Sequence, residues 1–458
     1  MKKWFILISV SMFAMSLLAI TLEESIGYAK QNNKELLMAK EDIYKAEQTY
    51  KDVRGNLLPQ LSLQGGYNLS ATNLPKSALP SPVSFAGGLD ATATDNDNYL
   101  AAVIEGVVNS MIPSSPVKEG SLAMQLKFDQ VLFLGGKLIN GIRAVDRFRS
   151  IQKLRYSLTE QDVVLQTTEL FYQCLLAKKL WEVQRDGLTL ANKHLQRVEL
   201  FAGEGQVSEF DVLRARLEVA KLQPQVLASE NQYSLAVSAF RKQIGVEDPT
   251  IAPDGEFVLP TELDVSLEEA TTQGLANRTE LELADINTQI MQIKYNAEKG
   301  NYLPNIALSA DYSLFTAADE YAIQRDDFGS KYGIGIGFQI PLFTGFSNSS
   351  KRSYARHDHE QAKLMQRDAE ELITLQIKQN HQKLEYARNN YNVQTKNIQL
   401  AERSLELAQV RYDNQVGIQL EVFDAQIMLS AIKLQYYQSI YEIISADRNL
   451  KKSIGIRL

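Results

Sequence analysis

The chain has 458 residues, of which 45% are hydrophobic and 22% charged, and its formal net charge is −7 at pH 7. This composition is typical of a folded protein and excludes a disordered chain, and the acidic balance, with Lys and Arg dispersed among acids, excludes a basic surface for nucleic acid. The single cysteine, Cys174, excludes an intrachain disulfide framework.

The N-terminus is predicted to be a secretory signal peptide, residues 1–19. Lys2 and Lys3 precede an apolar run that ends in small residues, and we expect cleavage after Ala19. A retained membrane anchor is the alternative, because about 17 apolar residues is the lower limit for a spanning helix. We expect the chain to be exported.

The remainder of the chain is a duplication. Thr21–Ser70 aligns without a gap with Ser266–Phe315, 245 residues on, and Phe128–Gly135 aligns with Phe338–Gly345, 210 residues on. Such self-similarity indicates that one structural unit occurs twice. The predicted units are a first repeat (20–247), an inter-repeat linker (248–265) and a second repeat (266–458).

Each repeat opens with a predicted helix, over Leu22–Gly55 and Leu267–Gly300. A Ser or Thr precedes each helix, with Glu three residues later, which is the spacing of a capping box. Pro59 and Pro304 follow the helices and mark the junctions between helix and strand, because proline cannot continue a helix.

Two strands follow in each repeat, where the apolar period changes from about 3.6 to about 2 residues. The predicted strands lie near 60–70, 121–133, 305–315 and 331–343, with Pro341 marking the return to helix. Segments of this length, with one apolar face and one small or polar face, fit membrane-spanning barrel strands. They equally fit a two-sided sheet on a soluble core, so the strand pattern leaves both open.

An insertion of about residues 70–120 separates the strands of the first repeat and contains five of the 12 prolines. If the strands span a membrane, topology places this insertion outside the cell. We interpret it as a flexible loop. A lid over the barrel mouth is the alternative, because Tyr99–Ile112 is apolar enough to pack on something.

A helical hairpin closes each repeat, over residues 136–245 and 346–454. Phe346–Val416 contains neither Gly nor Pro, and the second helix of each hairpin keeps apolar residues at alternating spacings of three and four. This spacing predicts coiled-coil packing of antiparallel helices. Pro224 is predicted to kink the second helix of the first hairpin.

Four strands cannot close a membrane barrel, because the smallest such barrels have about eight. Closure therefore requires several copies of the chain. Two copies supply eight strands around an interior filled by side chains, whereas three supply twelve and leave a lumen.

The chain resembles a known family, the TolC-like outer membrane factors. The resemblance covers nearly all of the chain after residue 19 and depends on the order of short motifs. These are the Leu-Glu-Glu openings, the Leu-Pro before each outward strand, Leu132–Gly136, Pro341–Gly345, and the turn sequences Gly205–Leu213 and Gln415–Ala425. It implies a mainly α fold with four strands per chain, in a homotrimer whose 12-stranded outer-membrane β-barrel continues as a periplasmic α-helical coiled-coil barrel.

The resemblance also implies a function. Members of this family are exit ducts of tripartite efflux pumps or type I secretion systems. Such a channel contacts outer-membrane lipid, a periplasmic adaptor protein and an inner-membrane transporter of the RND, ABC or MFS type. We therefore expect an outer-membrane location with a large periplasmic part, and a cargo determined by the transporter.

Two sets of site residues carry over from the family. The hairpin turns are predicted to dock the adaptor, although ordinary tight turns need the same glycines. The docking residues are Gly203, Gly205, Val207, Ser208, Gln415, Val416, Gly417 and Ile418. Glu421 and Asp424, three residues apart on one helix face, match the acidic ring that narrows the tunnel. In the first repeat Asp211 is the counterpart of Glu421, and Arg214 replaces Asp424. The alternative is a solvated helix start, where acids are favourable.

Neither a catalytic constellation nor a cofactor motif is found. His357 and His359 flank Asp358 without a further clustered ligand, and Gly135-Gly136-Lys137 lacks the upstream glycine of a phosphate loop. We therefore predict a protein that is not an enzyme and has no metal or cofactor. The rival function is a periplasmic helical scaffold that binds partners through its hairpins, with its strands in a soluble sheet.

Overall fold

The computed structural model describes residues 18–73, 75, 80–85, 94–112, 117–261, 265–319, 328–414 and 416–457. The helices are α1 (Leu22–Asn32), α2 (Lys34–Gly55), α3 (Asp95–Ser110), α4 (Lys137–Gly203), α5 (Glu209–Ile244), α6 (Leu267–Asn277), α7 (Thr279–Lys299), α8 (Ser347–Asp413) and α9 (Gln419–Ser453). The strands are β1 (Leu18–Ile20), β2 (Gln60–Thr72), β3 (Val117–Leu134), β4 (Ile251–Pro253), β5 (Asn305–Asp319) and β6 (Gly329–Gln339). The fold is thus mainly helical with a small sheet, as predicted.

The chain divides into two compact units. One unit, which we call the helical unit, comprises residues 1–50, 144–293 and 355–458. The other, the strand unit, comprises residues 51–143 and 294–354. Both repeats contribute to both units, because each repeat runs from helix to strand and back.

The predicted signal peptide falls almost entirely on residues 1–17, which lie outside the described residues. Its last residues form β1, which pairs in parallel with β4 inside the predicted linker. Ile20 is buried in this pair, and the backbone N–H of Asp254 donates to its carbonyl oxygen at 3.2 Å. The sequence did not predict this pair, since three-residue parallel strands about 230 residues apart carry no local signal.

The opening helix of each repeat is divided in two, so the predicted continuous helices 22–55 and 267–300 are wrong. Asn33 has extended backbone (φ −63°, ψ 126°) between α1 and α2. Its side-chain oxygen accepts from the backbone N–H of Glu35 at 2.9 Å and of Leu36 at 3.3 Å, which begins a new helix. Arg278 takes the corresponding extended conformation between α6 and α7.

A close backbone contact accompanies each break. A Cβ added to Gly245, which follows α5 with φ +69°, would lie 2.5 Å from the carbonyl oxygen of Asn32. In the second repeat, a Cβ added to Gly455, with φ +78°, would lie 2.6 Å from the Cβ of Asn277. The end of each hairpin therefore packs directly on the end of a short helix, and only glycine fits at both positions.

The hairpins consist of long continuous helices. In the first, α4 has 67 residues and α5 has 36, and in the second, α8 has 67 and α9 has 35. Although a kink was predicted at Pro224, α5 runs from Glu209 to Ile244 as one helix with Pro224 inside it.

The four long strands form one antiparallel sheet in the order β2-β3-β5-β6. The strands differ from the predicted ranges at their ends: β3 begins at Val117, β5 extends to Asp319, and β6 ends at Gln339 rather than 343. Pro59 and Pro304 each lie one residue before a strand, and Pro341 lies between β6 and α8. The two hairpins of the sheet share one register, since Leu61 pairs with Phe128, and their counterparts Ile306 and Phe338 also pair.

One face of the sheet is apolar and exposed. Directly paired residues share a face, and the pairs Leu63–Leu126 and Leu308–Ile336 show that the apolar positions of all four strands coincide. In the single chain Leu63 is 66% exposed and Ile336 67% exposed. The opposite face carries small and polar residues, among them Ser62, Gln64, Lys127, Asp129, Asp311, Gly333 and Gly335.

The insertion contains a helix, α3, of 16 residues. A capping box of Thr94 and Asp97 begins it, and the amide of Asn109 bonds to the backbone of Val83 in both directions, at 2.8 and 2.9 Å. Residues 74, 76–79, 86–93 and 113–116 of the insertion lie outside the described residues. The loop and lid interpretations of the insertion both remain predictions.

Among the residues that the structure describes, no helix combines the length and the apolar character needed to cross a membrane.

Candidate functional site

The turns of the two hairpins lie together in the helical unit, joined by an apolar cluster that we call the tip cluster. All four hairpin helices contribute to it. Its buried members are Val198, Ala215, Leu405, Ala408, Tyr412, Val422, Phe423 and Ala425. Outside the cluster, Arg197 of α4 forms an ion pair with Asp413 of α8, so that the hairpins are connected by a polar contact as well.

The first turn follows the end of α4 at Gly203. Gly205 adopts φ +75°, a conformation that favours glycine, and the backbone N–H of Gln206 donates to the carbonyl oxygen of Phe201 at 2.8 Å. Val207 packs on the tip cluster. Ser208 is the N-cap of α5.

The second turn wraps around one carbonyl group. The backbone N–H groups of Val416 and Gly417 both donate to the carbonyl oxygen of Arg411, each at 3.0 Å. Val416 is 69% exposed and Ile418 60% exposed, so the described part of this turn presents two apolar side chains to the surroundings. Gln415 lies outside the described residues.

Asp211 takes part in a helix cap. Its Oδ2 accepts from the hydroxyl of Ser208 at 2.6 Å and from the backbone N–H of Ser208 at 3.1 Å. This reciprocal pair is a capping box that stabilises the start of α5. Asp211 thus has a capping role in α5, and its place in the acidic ring stays a prediction.

Glu421 forms an ion pair with an arginine that the sequence did not identify. Arg411 approaches it with Nε 3.3 Å from Oε2, and Nη2 donates to Oε1 at 3.4 Å. Both side chains are about half exposed, so the pair is a weak interaction that opens readily. Arg411 directly precedes Tyr412 in the sequence.

Asp424 is exposed one turn further along α9. It shares a helix face with Glu421, as the spacing predicted. The structure therefore brings Glu421 and Asp424 together on an accessible surface at the start of α9.

His194 lies inside the tip cluster, a position that the sequence analysis missed. Its ring centroid lies 5.1 Å from that of Tyr412 and 4.9 Å from that of Phe423. Burial, with a smaller contribution from Arg197, lowers the pKa of His194 to about 4, so the imidazole is neutral at pH 7. The sequence could have indicated this burial, because His194 lies four residues from both Leu190 and Val198 and therefore on the same apolar helix face.

Tyr412 is also buried, and its hydroxyl has no hydrogen-bond partner among the described residues. Burial, and secondarily the charge of Asp211, raises the pKa of Tyr412. Two amides add polar contacts between the hairpins: Gln419 donates to the carbonyl oxygen of Asp211 at 3.3 Å, and Gln426 to that of Gly187 at 2.8 Å. Aromatic packing and these amides hold the start of α9 against the first hairpin.

No group of three or more His, Cys, Asp or Glu within the described ranges is arranged to hold a metal ion. His359 is largely buried, with its Nδ1 3.9 Å from Glu360. Burial raises the pKa of the Cys174 thiol to about 12, so it is a buried apolar group rather than a nucleophile.

The solved structures with this fold include the CmeC outer membrane channel of Campylobacter jejuni. The two match with a TM-score of 0.75 at 14% identity, over 95% of this chain and 86% of that one. The open state of the MtrE outer membrane channel of Neisseria gonorrhoeae matches with a TM-score of 0.69 at 14% identity, over 98% and 94% of the two chains.

Among curated proteins, the outer membrane protein TolC of Vibrio cholerae is 18% identical over 441 residues, which is 95% of this chain and 91% of the relative. The model of the family described as outer membrane efflux protein matches residues 26–246 and 271–456. These two segments cover most of both repeats. The chain therefore belongs to the outer membrane efflux protein family.

Proposed function

We propose that three copies of the chain form the outer-membrane exit duct of a tripartite efflux pump or type I secretion system. The observation that carries this proposal is the open four-stranded sheet, whose apolar face is exposed in the single chain. Burying such a face requires lipid or a partner. In a member of an outer membrane efflux family, lipid is the partner that fits.

Three copies suit the sheet because its other face is polar. Twelve strands leave a wet lumen, whereas eight enclose an interior filled by side chains. Lys127 and Asp129, paired at 2.9 Å, and Asp311 lie on this face, and such charges are stable facing water. The scaffold alternative instead requires a soluble cover for the apolar face.

The hairpin turns are the docking surface for a periplasmic adaptor, which connects the duct to an inner-membrane transporter. The apolar side chains of Val416 and Ile418 are exposed at the second turn, and the glycines of both turns hold a tight backbone. Burial of about two such side chains per copy, repeated three times, is enough for a specific contact. The transporter, of the RND, ABC or MFS type, selects the cargo.

The entrance is narrowed by Glu421 and Asp424. Three copies place six carboxylates around one axis, which favours cations in the passage. Arg411 neutralises part of this charge through Glu421. Because the ion pair is exposed, its separation costs at most about 1 kcal/mol per copy, which suits a contact that opens and closes.

The test of this function uses the full chain expressed in a bacterium with an outer membrane. We expect it in the outer-membrane fraction, extracted only by detergent, with the mass of three copies by light scattering. In planar lipid bilayers it should add discrete conductance steps. A water-soluble monomer without conductance would instead establish the scaffold function.

A further inference from the structure

This inference rests on the proposed trimer and concerns the surface between its copies. Inside one chain, the two repeats join where β3 pairs with β5. Leu126 pairs with Tyr312 and Met124 with Leu314 in this junction. The junction contains one irregularity, a register shift between Val131 and Phe133, which leaves Leu132 as a bulge.

Two glycines lie against each other beside this junction. A Cβ added to Gly135, which follows β3 with φ +60°, would lie 2.2 Å from the carbonyl oxygen of Gly300. A Cβ added to Gly300, just before β5, would lie 2.2 Å from the carbonyl oxygen of Gly135. Neither position tolerates a side chain, so the junction between repeats requires both glycines.

The two edge strands of the sheet, β2 and β6, correspond to the two strands of this junction. By the offsets of the duplication, β6 corresponds to β3 and β2 corresponds to β5, while Gly345 corresponds to Gly135 and Gly55 to Gly300. Among the described residues, no atom lies within 4 Å of a Cβ added to Gly345 or Gly55. Gly55 is helical, so within the single chain neither its conformation nor its contacts require glycine.

The offsets hold in three dimensions. The register of β2 with β3 equals that of β5 with β6 when both offsets are applied, as the pairs Leu61–Phe128 and Ile306–Phe338 show. Because these offsets reproduce the pairing within the hairpins, we also use them to derive the pairing that corresponds to the β3–β5 junction.

We propose that β6 of one copy pairs antiparallel with β2 of the next copy in the register of the β3–β5 junction, with Gly345 packed against Gly55 of that next copy. The junction within the chain thus recurs between chains, which we call the seam. Its pairs, β6 residue first, are Lys331–Thr72, Gly333–Ser70, Ile334–Leu69, Gly335–Asn68, Ile336–Tyr67, Gly337–Gly66 and Gln339–Gln64.

The character of the two faces supports this register independently. Ile334–Leu69 and Ile336–Tyr67 continue the apolar face, and Gln339–Gln64 continues the polar one. A shift by one residue would place every apolar side chain of β6 beside a polar one of β2. Leu342 is the counterpart of the bulged Leu132, and in the single chain it is 93% exposed.

Disulfide trapping measures the register directly. Directly opposed Cβ atoms lie about 5 Å apart and diagonal ones about 7–8 Å, whereas a disulfide needs about 4 Å. The variant G66C/G337C is in register, and G66C/G335C is displaced by two residues. At all three positions a Cβ meets nothing within 4 Å in the single chain, so both variants are expected to fold.

We expect mild oxidation to convert G66C/G337C into covalent trimers on a non-reducing denaturing gel, at least ten-fold more than G66C/G335C or either single variant. The wild-type protein, whose one cysteine, Cys174, is buried, gives the background level of cross-linking. Cross-linking of the displaced pair instead, or of neither pair in a protein that is trimeric by mass, overturns the proposed register. Failure of the wild type to form trimers overturns the proposed function.

The substitution Gly55→Leu tests the glycine contact separately. In the single chain a Cβ at Gly55 meets nothing within 4 Å, so we expect helical content by circular dichroism to equal that of wild type, while the trimer fraction should fall at least ten-fold. The matched control is Gly106→Leu in α3, where a Cβ also meets nothing within 4 Å and the seam is not involved. Wild-type trimer content in Gly55→Leu overturns the contact.

Discussion

Asp211 and Glu421 occupy the same position in the two repeats, three residues after the N-cap of the second hairpin helix, and the cap residue separates their roles. Ser208 has a hydroxyl, so Asp211 completes a capping box with it. Ile418 has none, so Glu421 turns instead to Arg411. The residue at the cap thus differs between the repeats together with the partner of the carboxylate, which is a helix N-terminus for Asp211 and an arginine for Glu421.

The first prediction at this scale concerns charge in the passage. The variant E421Q/D424N should lower the selectivity of the channel for cations over anions, because six carboxylates become neutral. Arg411→Gln should have the opposite effect, since it removes the positive charge that compensates Glu421. The measurement is the reversal potential in a salt gradient across a planar bilayer.

The control for this experiment is the charge-matched variant D368N/E371Q on α8, which removes two exposed carboxylates more than 40 residues before the turn. Its selectivity should stay near that of wild type. Equal effects of the two double variants would remove Glu421 and Asp424 from the gate.

A second prediction concerns His194. Because burial lowers its pKa from 6.5 to about 4, the unfolded chain binds more protons than the folded one between these values. The stabilisation from the neutral ring is therefore complete above about pH 6.5 and is lost as pH falls towards 4. Of the charged groups around the ring, Arg197 opposes protonation and Asp413 favours it.

Amide hydrogen exchange at the tips measures this effect. After correction for intrinsic rates, protection of residues around Tyr412 and Phe423 should be lower at pH 5 than at pH 8. His194→Phe keeps an aromatic ring without a titrating group and should abolish the difference. A pH effect of the same size in that variant would assign it to other groups.

At the scale of elements, close glycine contacts help to hold the short helices at the start of each repeat. Gly245 and Gly455 perform the same function in the two repeats, each with positive φ and a neighbouring residue too close for a Cβ. This is the same device as in the strand unit, where Gly135 lies against Gly300. Tight glycine contacts thus recur at the joints of the duplicated fold.

Gly245→Ala should therefore destabilise the protein. An alanine in the left-handed region costs about 1–2 kcal/mol, and its Cβ must also displace the backbone of Asn32. We expect a fall in the thermal midpoint of the helical signal. The matched control is Gly27→Ala in α1, where a Cβ meets nothing within 4 Å and alanine favours the helix by about 1 kcal/mol.

The elements also show how far sequence reasoning reaches. The order of helices and strands followed from the change of period, and the positions of Glu421 and Asp424 followed from the family resemblance. The division of the opening helix at Asn33 could not be predicted from the sequence. Asn-Lys-Glu can also continue a helix, and the new start depends on the tertiary contact with Gly245. The partner of Glu421 depends on how a turn folds back, which spacing does not encode.

At the scale of the whole molecule, duplication explains why the two units each draw on both repeats. Each repeat supplies one hairpin to the helical unit and two strands to the strand unit. Such a chain contains one junction between repeats, β3 with β5. Its edge strands β2 and β6 each supply one side of a junction with another copy. In the proposed trimer its sheet is a third of a ring of twelve strands, and the exposed apolar face is the expected state of an incomplete assembly.

The open edges of the sheet have a further consequence for mixtures of chains. Each seam that forms between two open assemblies removes two edges and leaves two free, so only ring closure removes the last two. One copy with a defective edge therefore spoils the whole ring. If Gly55→Leu and wild type are made in equal amounts and associate at random, about one set of three copies in eight is entirely wild type, and export in such cells should fall well below half of normal.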